Sequence, residues 1–148
     1  MRGVPLAVLL ALALAACASP GTRTIEVSMT DALRFEPGTI EVAPGETVLF
    51  EVTNDGQSVH EFLIGDEGEQ AAFAEEMADD GMAHDTDAGV SVEPGATETF
   101  EYTFDAGEVD LLAGCHEPGH YDGGMVASIT VIEGSGGERY RLALPMER

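Results

Sequence analysis

The stretch CHEPGHYDGGM, residues 115–125, decides the reading of this chain. It sets Cys115, His120 and Met125 at even intervals, in the pattern C-x4-H-x4-M. A further imidazole, His60, lies upstream in SVHEFLIG, residues 58–65. Two imidazoles, one thiolate and one thioether form the donor set that suits copper in a trigonal site with a weak axial sulfur. Taken singly, a buried Cys or Met is more often a small core residue or a gap filler, and a lone His a hydrogen-bonded surface group. The spacing changes that balance. Pro118 and Gly119 provide a turn between Cys115 and His120, and Gly123 and Gly124 allow a second bend before Met125. A chain bent twice in this way returns three side chains to one point.

On these residues the chain resembles the cupredoxins, the small blue (type 1) copper proteins that include plastocyanins, azurins and rusticyanins. The resemblance covers residues 24–132. It implies an all-β fold, a cupredoxin-like Greek-key β-sandwich with a short helical insertion. It also implies one type 1 copper ion held by His60 from an early strand and by Cys115, His120 and Met125 from the last loop. Many members carry Asn directly after the first His, tying the ligand loops together. Here that place holds Glu61, and Asn54 in the preceding loop is a candidate substitute.

The flanking sequence supports a strand-rich domain. Ile40 and Val42 alternate with Thr39 and Glu41, and Val48, Phe50 and Val52 repeat the pattern. Phe100, Tyr102 and Phe104 do so again, as do Met125, Ala127, Ile129 and Val131. Such period-2 alternation predicts half-buried antiparallel strands. Turn signals separate them: EPG at 36–38, APG at 43–45, NDG at 54–56 and EPG at 93–95. Each of the APG and second EPG turns precedes a Thr/Glu-containing strand, which predicts hairpins. Residues 67–80 break the alternation: Ala, Glu and Gln dominate, and Phe73 and Met77 share a helical face. A short helix is expected there, followed by a loop and a strand beginning near Val90.

That insert raises a second metal question. Met77, Met82 and His84 could form an exchangeable Cu(I) site among carboxylates. The plainer alternative packs Met77 against the sheet and leaves Met82 and His84 on an acidic loop. His116 follows Cys115 directly, and neighbours on an extended segment point to opposite sides. It is therefore expected beside the site or at the surface, not on the metal.

Residues 1–16 read as an export signal, with basic Arg2 and the apolar run VPLAVLLALALAA at 4–16. The ending LAAC at 14–17 resembles a bacterial lipobox, which implies lipidation of Cys17 and a tether over 17–23. Ordinary secretion is the alternative. The expected location is the outer face of the bacterial cytoplasmic membrane, or a periplasm. With Cys17 committed to lipid, Cys115 is the only other cysteine and has no disulfide partner. An unpaired thiol in an oxidising compartment calls for an occupant, and a metal would supply one.

The formal charge is -22, from 28 acidic and 6 basic residues, and the chain contains no Lys. Nucleic acid is an improbable partner because phosphate binding needs cations. The charge instead suits solubility and steering of a basic partner, such as a c-type cytochrome or an oxidase. A monomer is expected. With four protein donors and no further His-rich motif, the chain is not expected to be an enzyme; one-electron transfer through His120 is the leading expectation, and copper buffering, tolerance or delivery the alternative. The tail 133–148 carries GSGG at 134–137 and ends in the Arg-containing ERYRLALPMER, compatible with an edge strand or a free linker.

Overall fold

In the computed structural model, residues 22–80, 86–108 and 110–132 are described. The predicted export signal, Cys17 with its tether, Met82, His84 and the tail from 133 lie outside them. The described chain runs β1 (Arg23–Thr30), β2 (Arg34–Glu36), β3 (Thr39–Val42), β4 (Thr47–Asn54) and β5 (His60–Gly65). Helix α1 (Glu67–Asp80) follows, then β6 (Gly89–Val92), β7 (Thr97–Thr103), β8 (Leu111–Gly114) and β9 (Val126–Val131). The strands form a four-stranded sheet, β2-β1-β4-β7, packed on a five-stranded sheet, β3-β9-β8-β5-β6. The expected sandwich with one helical insertion is present.

The alternation patterns translate directly into the core. Val48, Phe50 and Val52 of β4 point inward with Val27 and Met29 of β1. They meet Ile40, Val42, Phe62, Ile64, Val92, Leu111, Ala127 and Ile129 of the opposite sheet. Phe62 anchors the seam, with its ring 5.2 Å from Phe35 and 5.4 Å from Phe50. Because Phe62 lies two residues after His60 on β5, packing of this cluster sets the height of the first donor.

Two expectations about connectivity are corrected. The pairs β1/β4 and β3/β9 are parallel, not antiparallel. The proline-glycine turns also close no hairpin. The turn at 43–45 carries the chain from β3 in one sheet to β4 in the other, and the turn at 93–95 does the same from β6 to β7. The turns at 36–38 and 54–56 likewise cross between sheets. Period-2 alternation reports which face is buried and not which strand lies alongside. Each crossing therefore leaves pairing to be decided by non-local neighbours.

The helix begins where the sequence places it, for a local reason. The Asp66 carboxylate accepts the N–H groups of Gly68 and Glu69 at 2.8 and 2.9 Å, while Glu69 accepts the Asp66 N–H at 2.8 Å. This reciprocal cap satisfies donors that the first turn leaves open. The helix lies over β5 and β8. Its buried anchor is polar: Gln70 donates to the carbonyls of Leu63 and Leu112 at 2.9 and 3.1 Å. Phe73 and Met77 are half-buried, and Met77 lines a groove beside the 115–125 loop instead of packing under the helix.

Candidate metal centre

Three strand ends deliver the predicted donors to one end of the sandwich. His60 opens β5, Cys115 follows the last residue of β8, and Met125 precedes β9. Pairing of Gly114 with both Leu63 and Val126 brings these ends side by side. The loop between them is closed by its own backbone. Met125 N–H donates to the His120 carbonyl at 3.0 Å, and Cys115 N–H to the Met125 carbonyl at 3.2 Å. Gly119 and Gly124 take positive φ values of 81° and 96°, a region that penalises side chains. The glycines anticipated as bends are thus needed for the loop's shape.

The inward donors converge. His60 Nδ1 lies 3.2 Å from His120 Nδ1, which is 3.4 Å from Cys115 Sγ. One donor atom from each of His60, Cys115 and His120 falls within 4.8 Å of the others. Among the described residues, this is the group of metal-binding type that assembles. Met125 is fully buried and is placed next to Cys115 by the backbone bond. Cys115 and His60 are also fully buried, whereas His120 is half-buried. Imidazole nitrogens with a thiol, in a dry pocket, fit a soft transition ion such as copper better than a hard one. Carboxylates, the usual partners of hard cations, are not among the converging donors.

Burial dominates the protonation of the site. It pushes the Cys115 thiol up to about 11 and lowers His60, so without metal the thiol is protonated and His60 is neutral at pH 7. A metal held by Cys115 would have to displace that proton. Above pH 7, apparent Cu(II) affinity is expected to rise about tenfold per pH unit, flattening as pH approaches the thiol's value. Titrations at pH 7, 8 and 9, with proton release read from buffers of different ionisation heat, check this. A flat profile with no proton released would exclude thiolate ligation.

The residues around the donors explain how the site is held. Glu61 is buried, and its backbone N–H donates to Cys115 Sγ at 3.4 Å. Its carboxylate accepts the His116 N–H at 3.0 Å. Glu61 itself therefore ties β5 to the ligand loop. Asn54 does not provide this tie, because its side-chain amide donates to the Ser58 and Val92 carbonyls, both at 2.8 Å. It secures the turn leading into His60.

His116 points away from the donors, as alternation predicts, but it is buried and not a surface group. It bonds Gln70 Oε1 at 2.8 Å and stacks on Tyr121, with ring centroids 4.8 Å apart and planes at 15°. Burial lowers its basicity. Gln70, His116 and Tyr121 border an open groove of about 510 Å³ between α1 and the loop, rimmed by Glu67, Glu117 and Asp122. Nothing in the spacing of Gln70 signalled this role. Asp31, whose carboxylate lies 3.2 Å from His60 Nε2, was equally silent in the sequence. The Gln57 backbone N–H is the main cause holding the Asp31 carboxyl below its usual range.

Comparison with known proteins agrees with this geometry. The chain is 39% identical over 116 residues to the copper-resistant cuproprotein CopI of Rubrivivax gelatinosus, covering 77% of this chain and 69% of that protein. It is 34% identical over 144 residues to the copper-resistant cuproprotein CopI of Pseudomonas aeruginosa, covering 77% and 78% respectively. Among solved structures, dithionite-reduced auracyanin of Roseiflexus castenholzii superposes with a TM-score of 0.65 at 26% identity, covering 75% of this chain and 98% of auracyanin. Residues 4–126 match the family described as Cupredoxin-like domain. With sandwich, loop and donor geometry in agreement, the chain belongs to the cupredoxin-like domain family.

Proposed function

We propose that this protein binds one copper ion in a type 1 site and serves copper tolerance in the bacterial cell envelope. The convergence of His60 Nδ1, Cys115 Sγ and His120 Nδ1 carries the reading. In it, these three residues hold the metal and the Met125 thioether is the weak fourth donor. Copper in such a set supplies a one-electron Cu(I)/Cu(II) couple. The chain's part is to keep the donors in place and dry: the Glu61 N–H stabilises the sulfur, and the 115–125 loop is braced by its own backbone bonds. Four protein donors leave no position for a substrate, which argues for binding instead of enzymatic chemistry. The relatives named copper-resistant cuproproteins support tolerance as the cellular role. The LAAC motif supports a lipid anchor at Cys17 and residence outside the cytoplasm.

A second reading is electron carriage, favoured by the half-buried His120 beside exposed Pro118 and Gly119. Electrons would pass through the His120 edge to a basic partner, such as a c-type cytochrome or an oxidase. Glu67, Glu117 and Asp122 would steer that partner from the groove rim.

The two roles separate experimentally. A strain lacking the gene should lose growth on elevated copper, and the wild-type protein should restore it while Cys115→Ser does not. Equal growth of all three strains would exclude tolerance. Rapid oxidation of a reduced c-type cytochrome by the Cu(II) protein, slowed by rising salt, would then establish the carrier in its place.

A further inference from the structure

The donors' outer contacts contain a feature that the ligand motif does not explain. His60 turns Nδ1 toward Cys115 and His120, and its other nitrogen, Nε2, meets Asp31 Oδ1 at 3.2 Å. Asp31 comes from the turn between β1 and β2, and its side chain is 45% exposed while that of His60 is fully buried. A surface carboxylate thus reaches a buried ring. The carboxylate is itself fixed, accepting the N–H of Gln57 at 2.8 Å and of Ser58 at 3.3 Å. Those amides belong to the turn before β5, folded around Asn54, which accepts the Gly56 N–H at 2.9 Å. Gly56 makes the approach possible. A methyl group there would lie 3.0 Å from His60 Nε2 and collide with Asp31 Oδ1.

A neutral imidazole carries its proton on one nitrogen, and the partner of that nitrogen selects the tautomer. For metal-holding histidines, a carboxylate on the outer N–H orients the ring and raises its basicity. We propose that Asp31 is a positioning residue for the metal centre: it accepts the His60 Nε2–H, keeps Nδ1 bare toward Cys115 and His120, and places a surface negative charge on that ligand. The inference rests on His60 as a metal ligand. Greater donor strength at His60 favours Cu(II) over Cu(I), so Asp31 holds the reduction potential down. A merely structural Asp31 would staple the two turns together and leave tautomer and potential alone.

The full-length protein and two variants decide between these. Asp31→Asn retains an acceptor oxygen but loses the charge, and Asp31→Ala loses both. In metal-free protein, ¹⁵N NMR should show His60 protonated on Nε2 in the wild type and in Asp31→Asn, with mixed tautomers in Asp31→Ala. In copper-loaded protein, Asp31→Asn should keep the visible band and raise the potential. Asp31→Ala should weaken Cu(II) binding roughly 10–100-fold. Each tenfold loss confined to Cu(II) corresponds to about 59 mV for one electron. Wild-type tautomer and potential in both variants would overturn the proposal. If the wild type took up no copper, the copper reading would fail, and the NMR result on metal-free protein would still decide what Asp31 does to His60.

Discussion

Cys115→Ser is expected to remove the intense thiolate-to-copper band completely and to weaken Cu(II) binding by more than about 100-fold, beyond what loss of a residue merely supporting a ligand produces. The sulfur is fully buried, in no disulfide among the described residues, and touched by the Glu61 N–H and the His120 ring. A hydroxyl of similar size can take that N–H bond, so the fold should survive. It cannot replace the thiolate, because a serine hydroxyl stays protonated at neutral pH and offers a harder donor. Visible absorption and EPR during a Cu(II) titration, with circular dichroism to confirm the fold, read the result. A band of wild-type strength in the folded variant would remove Cys115 from the metal centre and the type 1 assignment with it.

Phe50→Ala should give the largest loss of stability, about 3–5 kcal/mol. Domains of this kind have only about 5–15 kcal/mol in total. Phe50 is fully buried in β4, stacked on Phe100 with centroids 5.2 Å apart and tilted against Phe62 at 5.4 Å. Truncation opens a cavity between two sheets that cannot close without moving both. The melting temperature of the metal-free protein should fall by on the order of 15 °C. The damage should also reach the metal centre, since Phe62 and His60 share β5. Urea unfolding checks the energy, and the copper band of the refolded variant checks the coupling. A loss under about 1 kcal/mol would mean that the seam repacks freely around the missing ring.

The legibility of the site differed residue by residue. His60, Cys115, His120 and Met125 stood out as candidate donors because their chemistry is rare in combination and three of them share one short loop. The convergence of Cys115 and His120 on His60 draws on turn residues whose conformations are local, Gly119 among them. Helix α1 was readable from composition and the Phe73/Met77 spacing, while the Asp66 and Glu69 cap that fixes its start emerged in the structure. Glu61 looked like a departure from the family pattern. In the fold it performs the tie itself, because its carboxylate reaches the His116 N–H across from β5 to the ligand loop. His116 lies outside the converging donor group, as alternation predicted, while its burial, which the sequence did not settle, depended on Gln70 arriving from the helix.

By itself, then, the sequence marked the candidate donors, the buried face of the strands it flagged by alternation, and the position of the helical insertion. Each is encoded by residue type and by spacing within a few positions, which backbone geometry converts directly into direction. Strand order, the parallel pairs β1/β4 and β3/β9, and the sheet-crossing role of the proline-glycine turns were decided only by tertiary structure. So were the Asp31 contact to His60 and the groove beside His116. These join segments tens of residues apart, and no local period carries information about which distant strand or turn will supply the partner.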